Sequence, residues 1–391
     1  MRLTSIEATI EGRAGVLADR PASKQVVTKI MPSSTLFEPC TLGKLALKNR
    51  IAMAPMTRSR AVESNTANQL MAEYYAQRAG AGLIITEGTS PSPNGTGYAR
   101  IPGLWAKHQV AGWKKVTNAV HAKNGRIFVQ LMHTGRVGHP LNLPAGAQVL
   151  APSAVAAEGT MFTDAQGMQP HPVPHAMSEA EVWAAVDEYK LAAQNAIAAG
   201  FDGVELHGAN GYLLEQFLSP HSNLREDSWG GSVDKRIGFV VEVAKQVTAA
   251  IGGERVGIRL SPYGTAGGMK PYPEIDETYQ ALVARLAPYG LQYIHLVDHS
   301  SMGAPMVPER LKQTLRRAWP RTLILAGGFD RALAESALRD GRGDLVAFGR
   351  PFLANPDLVA RLEGNLPLNP PDPTTFYAPG PKGYTDYPTA T

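Results

Sequence analysis

The sequence predicts an α/β protein of the closed (β/α)8, or TIM-barrel, class, and three observations carry that prediction. Eight short Val/Ile/Leu-rich runs recur from residue 50 onward, each followed by a longer segment whose apolar residues are spaced near 3.6. Runs that are apolar on both faces belong to parallel strands covered by helices. The length of 391 residues accommodates one barrel, which takes roughly 250 residues and often more. An open, doubly wound sheet fits less well, because it rarely needs so many regular units. The expectation is therefore one barrel domain over 34–391, preceded by an N-terminal extension, 1–33, without clear periodicity.

In order, the strands are expected at 50–56 (RIAMAPM), 82–88 (GLIITEG), 126–133 (RIFVQLMH) and 203–208 (GVELHG). The second half supplies 255–262 (RVGIRLSP), 293–299 (YIHLVDH), 322–328 (TLILAGG) and 345–351 (LVAFGRP). Helical spacing places helices at 68–79, 108–122, 178–199, 237–251, 277–287, 308–319, 331–341 and 355–364. Ser178 followed by Glu181 has the spacing of a capping box, and Pro308 suits a first helical turn. Two long connections, 134–177 after strand 3 and 209–236 after strand 4, are rich in Gly, Pro, Ser and Asn. Both follow the carboxyl ends of strands, where barrel enzymes assemble their sites.

Composition narrows the function. Apolar residues make up 44% and charged residues 18%, and the net charge of +4 is small for the size. The basic residues are scattered, without a Lys/Arg stripe interleaved with aromatics, which argues against a nucleic-acid partner. One cysteine, Cys40, excludes an internal disulfide, a CxxC metal site and a cysteine-held iron–sulfur cluster. The first thirty residues carry charges throughout and lack the roughly 7–15-residue apolar core of a secretory signal. No apolar run approaches the ~18 residues that span a membrane. The expectation is a cytoplasmic protein, monomer or homodimer, acting on a small molecule without a membrane or nucleic-acid partner.

Several polar residues interrupt the apolar strands. Strand 4 ends in His207, and Asn210 and Tyr212 follow in HGANGY. An imidazole, an amide and a phenol at a barrel mouth suit gripping an oxygen on which negative charge builds. A phenol, with a reference pKa of about 10, stays protonated at neutral pH and can still protonate a basic carbon. A histidine tying down loop backbone, with Tyr212 merely packing, fits the spacing equally well. Arg259 within VGIRLSP needs an anionic partner if buried. That partner is either a neighbouring carboxylate or an anionic ligand. Strands 7 and 8 end in Ala326-Gly327-Gly328 and Phe348-Gly349-Arg350, where barrels commonly cradle a phosphate. Pro55 and Thr57 end strand 1, and Gln130 sits inside strand 3; each needs a partner if buried. His295, Asp298 and His299 superficially resemble a metal cluster. On a strand, however, His295 and Asp298 point to opposite faces, so no metal site is expected.

Taken together, LFEPCTLGKLALKNRIAMAPMTR, TEGTSPSPNGTGY, VQLMHTGR, VELHGANGYLLEQFLSPHSNLREDSWGGS, GIRLSP, AFGRPFLANPDL and TFYAPGPKGYTDYP make the chain resemble the old yellow enzyme family. The resemblance runs from about Leu36 to Pro388, with the motifs in the family's order. It implies a barrel holding FMN tightly but non-covalently, with NADPH or NADH as co-substrate. The implied reaction is reduction of the activated C=C bond of enones, enals and nitroalkenes by a ping-pong cycle.

Residue by residue, the resemblance implies that Thr57 bonds the flavin C4 carbonyl. Gln130 and Arg259 would hold the pyrimidine edge, and Pro55, Met56 and Gly88 would pack by the ring. Gly327, Gly328, Gly349 and Arg350 would hold the phosphate. His207 and Asn210 would grip the substrate oxygen, Tyr212 would donate the proton, and Phe376 and Tyr377 would line the pocket. One departure concerns Met132, which stands where many relatives carry tryptophan and implies a differently shaped substrate pocket. Two alternatives share these residues: reduction of nitroesters or nitroaromatics, and a barrel that binds a phosphate ligand without catalysis.

Overall fold

The computed structural model describes residues 35–390; the expected extension at 1–33 lies outside them. Eight parallel strands close on themselves: β1 (Ile51–Met53), β2 (Leu83–Thr89), β3 (Ile127–Leu131), β4 (Gly203–Gly208), β5 (Val256–Leu260), β6 (Tyr293–Val297), β7 (Thr322–Ala326) and β8 (Leu345–Phe348). Strand β8 pairs with β1 through Val346 and Ile51, which completes the ring. The helices of the outer layer are α1 (Gln69–Gln77), α2 (Lys107–His121), α3 (Glu179–Ala198) and α4 (Gly238–Ile251), then α5 (Ile275–Leu286), α6 (Glu309–Ala318), α7 (Arg331–Arg339) and α8 (Leu358–Glu363).

Alternation along the strands builds two buried layers. Ala52, Leu83, Phe128, Tyr293, Ile324 and Leu345 form one cluster inside the barrel, joined by Leu42 and Leu47. Those two leucines come from a hairpin, Cys40–Leu42 paired with Leu45–Leu47. The alternate positions, among them Ile51, Ile84, Val129, Leu206, Ile258 and Val346, pack with Trp113, Val186, Val243, Leu282 and Leu315 of the helices. Period two in the strands thus places every second residue in the lumen.

Most differences from the expected elements are at their ends. Six strands end two or three residues earlier than expected, Gly203–Gly208 keeps its expected bounds and Leu83–Thr89 runs one residue further. Ser178 caps α3 as expected, accepting from the Glu181 amide at 3.3 Å while Glu181 accepts from the Ser178 amide at 2.7 Å. Pro308 precedes α6 at its cap instead of entering the first turn. The 134–177 connection is more ordered than a loop. Thr160–Thr163 pairs antiparallel with Gly167–Pro170, and Gly167 turns the chain in the left-handed region at φ 66°. The 209–236 connection likewise contains short helices, Leu213–Leu218 and Val233–Arg236.

Candidate active site

Two cavities open beyond the carboxyl ends of the strands. The first, of about 450 Å³, is lined by Pro55, Met56, Asn210, Arg259, Gly327, Gly328, Gly349 and Arg350, with His299 from the loop after β6. The second, of about 700 Å³, is lined by Thr57, Tyr98, Tyr212 and Tyr377, and by Met161 of the 160–170 hairpin. The two border each other, because Met56 lines one and Thr57 the other, and Asn210 lines one and Tyr212 the other.

The glycine corner of the first cavity is shaped for close approach. Gly327 has φ 123°, and a Cβ there would lie 2.0 Å from the Asp298 carbonyl oxygen. The loop bearing Asp298 is itself held: its carboxylate accepts from Lys312 Nζ at 2.7 Å and from the Ser300 amide at 2.9 Å. Gly349 differs, since a Cβ there would meet nothing nearer than the Met56 sulfur at 3.7 Å. The chain leaves that space free, with the exposed Arg350 beside it. A concave, backbone-rich corner with one free guanidinium suits a phosphate.

Arg259 is 7% exposed and has no ion-pair partner among the described residues. Its Nε is buried without a hydrogen-bond acceptor among the described residues. Burial lowers its pKa, an effect only opposed by the charges of Glu205 and Glu215 nearby. A buried cation left in this condition calls for an external anion or acceptor.

Beneath it lies a polar layer that the sequence did not reveal. Glu205, 0% exposed, accepts from Gln130 Nε2 at 2.8 Å and lies 2.9 Å from His295 Nδ1. The Gln130 amide is therefore partly committed inside the barrel. His295 belongs to this lumen layer, whereas Asp298 caps the turn His299–Met302.

Of the expected His207, Asn210 and Tyr212, Asn210 lines the first cavity and Tyr212 the second, while His207, 2% exposed, lines neither. The His207 and Tyr212 rings meet edge to face, with centroids 4.8 Å apart. Burial first, then the positive charge of Arg259, holds the His207 imidazole well below its usual range, so it is neutral at physiological pH. Its Nδ1 and the Asn210 Oδ1 are buried without partners among the described residues. Burial and the neighbouring Tyr98 push the Tyr212 phenol well above 10, so it keeps its proton. Tyr98 was not singled out from the sequence, and its hydroxyl lies 3.0 Å from that of Tyr212. Only its place in TEGTSPSPNGTGY marked it.

Asn210 adopts φ 60°, uncommon for a residue with a side chain, and Gly211 follows at 77°. Glu215 clasps this turn. Its carboxylate accepts from the Gly211 amide at 2.6 Å, Ser261 Oγ at 2.8 Å and Tyr279 Oη at 2.6 Å. Ser261 Oγ in turn accepts from the Asn210 amide at 3.0 Å.

Burial pushes the Glu215 carboxyl up to about 7. For stability the sign is that of any raised carboxyl: the benefit is present below the ordinary value and lost as pH rises through about 7. For geometry the sign is opposite, since only the ionised form accepts from all three donors. We expect the KM for a neutral enone to rise as pH falls through about 7, and Glu215→Gln to flatten that step. A step of unchanged size in the variant's pH profile would assign it elsewhere.

Besides His207, two expected pocket residues line neither cavity. Met132 is 1% exposed and lines neither cavity. It packs on Gly88, where a Cβ would lie 2.4 Å from the Met132 sulfur. An unbranched thioether can fill the space that the missing Cβ leaves. Tyr377 does line the second cavity, but Phe376 does not; its contribution is a carbonyl that accepts from Arg58 and Arg60.

The site can be compared with known proteins. The profile of the NADH:flavin oxidoreductase / NADH oxidase family matches residues 35–369. Chanoclavine-I aldehyde reductase fgaOx3 of Penicillium roqueforti is 44% identical over 368 residues, covering 90% of this chain and 95% of that protein. A probable flavin mononucleotide-dependent alkene reductase of Leishmania infantum is 43% identical, covering 90% and 97%. Morphinone reductase, solved in complex with tetrahydroNAD, superposes with a TM-score of 0.86 at 44% identity, covering 91% and 98%.

Proposed function

Because this chain belongs to the NADH:flavin oxidoreductase / NADH oxidase family, that of the old yellow enzymes, we propose that it reduces activated C=C bonds by the residues assembled at this mouth. It is an FMN-dependent oxidoreductase that draws on a nicotinamide. One relative is named an alkene reductase and another an aldehyde reductase. An alkene conjugated to a carbonyl satisfies both names.

The residues present fit FMN. Gly327, Gly328, Gly349 and Arg350 would hold the phosphate in the glycine corner. The unpartnered Arg259 Nε would meet the polar edge of the ring together with Thr57 and Gln130, while Pro55 and Met56 would pack along it. Bound FMN supplies hydride transfer between the nicotinamide and the alkene.

The chain's own residues do the rest. His207 and Asn210 orient the substrate by its oxygen and stabilise the charge that collects there. His207 does so as a neutral donor, because its pKa is held down. Tyr212 delivers a proton to the α-carbon, with Tyr98 beside it able to give or accept a hydrogen bond at 3.0 Å. We read nicotinamide and substrate as using the second cavity in turn. We place the protein in the cytoplasm, as a monomer or homodimer acting on a small molecule.

The single observation that carries this reading is a neutral imidazole, an amide and a protonated phenol beside an unpartnered buried arginine and a glycine corner. The test is NADPH or NADH oxidation by purified protein with cyclohexenone. Enone-dependent oxidation with formation of cyclohexanone supports it; binding of FMN without turnover of enone, enal or nitroalkene would reject it. Turnover of nitroesters alone would instead favour the nitro-reductase reading of the same site.

The cradle makes its own prediction. Gly327→Ala adds a Cβ against the Asp298 carbonyl at φ 123°, a strain of about 1–3 kcal/mol before any contact with the ligand. FMN affinity is expected to fall by roughly tenfold or more, read by titrating apoprotein with FMN. Wild-type affinity in that variant would remove the phosphate from this corner.

A further inference from the structure

The second cavity owes one wall to a segment with almost no regular structure. Between Pro373 and Tyr384 the chain forms a short 3-10 turn, Pro373–Thr375, and otherwise runs irregularly. Yet Thr374, Tyr377, Ala378 and Pro379 face the cavity. Tyr377 is 60% exposed, so packing of its own ring does little to hold the segment in place.

Two buried arginines hold it, joined by the half-buried Arg100, which donates to the Tyr377 carbonyl at 2.9 Å. Arg58 Nε donates to the Phe376 carbonyl at 3.1 Å and an Nη to the Gly383 carbonyl at 2.8 Å. Arg60 donates to the carbonyls of Gly380 at 3.3 Å, Phe376 at 2.7 Å, Thr375 at 2.8 Å and Lys382 at 3.2 Å. The Tyr384 ring lies beneath both guanidiniums, with centroids 5.1 and 4.6 Å from them, and stacks on Tyr74 at 4.0 Å. Neither arginine forms an ion pair among the described residues; the nearby carboxylate, Glu87, accepts instead from the Arg58 backbone amide at 3.3 Å.

Arginines 1% and 3% exposed whose donors are spent on carbonyls and, for one Arg58 Nη, on the Tyr74 hydroxyl are an expensive way to stabilise a fold. They are a specific way to fix a carbonyl path, since a planar fork presents five donors in set directions. Their placement explains the use. Thr57 and Ser59 line the cavity, while Arg58 and Arg60, next to them in the chain, bind the carbonyls of the segment that carries Tyr377.

We infer that Arg60, with Arg58, is a positioning residue for substrate: it staples residues 375–383 so that Tyr377 lines the cavity together with Thr57 and Ser59. The inference rests on the reading of this cavity as the substrate site. Arg60 touches no substrate; it acts through the wall. Burial and the charge of Arg58 lower its pKa to about 10, which leaves it a cation at neutral pH.

The test uses the FMN-loaded enzyme with Arg60→Gln, Arg60→Lys, Tyr377→Ala and the Arg60→Gln/Tyr377→Ala double variant. Arg60→Gln should raise the KM for cyclohexenone about tenfold while kcat changes by less than about threefold, the pattern of lost binding rather than lost chemistry. Flavin content should be unchanged. Arg60→Lys, with three donors and no fork, should fall between, and it carries the test where Arg60→Gln does not accumulate. The double variant should be no worse than the worse single variant, because both changes remove the same wall. Limited proteolysis should cut residues 375–383 sooner in Arg60→Gln than in wild type. A lowered Tm with unchanged KM, additive effects in the double variant, or unchanged cleavage would each overturn the inference. Wild-type enzyme inactive on enones would instead defeat the underlying functional reading.

Discussion

Replacing Tyr212 with phenylalanine is expected to slow enone reduction by roughly 10²–10⁴-fold while leaving flavin reduction by the nicotinamide nearly intact. The expectation follows from what the phenol does and does not touch. Its hydroxyl meets Tyr98 at 3.0 Å, and its ring packs edge to face on His207. Phenylalanine keeps the packing and removes only the proton. Because burial holds the phenol well above 10, the proton is present throughout the neutral range, so the loss should not depend on pH there. Rapid mixing resolves the two half-reactions. If both fell together, Tyr212 would be a structural residue.

The paired change His207→Ala with Asn210→Gly should cost on the order of 10²–10³-fold for each donor lost, and less than their product if they act as a unit. Glycine is the better probe at 210, since φ there is 60° and alanine would add backbone strain to the lost amide. The same variant should lose the charge-transfer colour that a phenol develops against bound flavin, because the phenolate oxygen has no other grip. A phenol titration indistinguishable from wild type would refute the assignment of both residues.

Much of the barrel was legible because each strand–helix unit carries its own period. The lumen cluster and the helix-facing cluster follow from alternation alone, as Ala52 and Ile51 illustrate. His207, Asn210 and Tyr212 were visible because polar residues at the end of an apolar strand need partners. The glycine corner was visible because barrels place phosphates after strands 7 and 8.

What escaped depends on contacts between residues distant in sequence. Arg58 meets Phe376 across 318 positions, and nothing local marks that pairing. The only available signal was two arginines close together in Thr57, Arg58, Ser59 and Arg60, and strand alternation does not extend there, because Ser59 turns the chain at φ 55°. Glu205 escaped for a related reason: a carboxylate inside VELHG reads as one more polar interruption until Gln130 and His295 arrive from neighbouring strands. Met132 was expected on the substrate wall because it stands where many relatives carry tryptophan; it packs instead on Gly88, where no Cβ stands in the way.

The cavity beside Arg259 is the premise of every role assigned above, so the most direct measurement is the flavin itself. Protein purified without added cofactor, then denatured and its supernatant identified by mass and absorption, should release one FMN per chain, and Arg259→Met should bind it more weakly. A colourless preparation that takes up no FMN on titration would contradict the account.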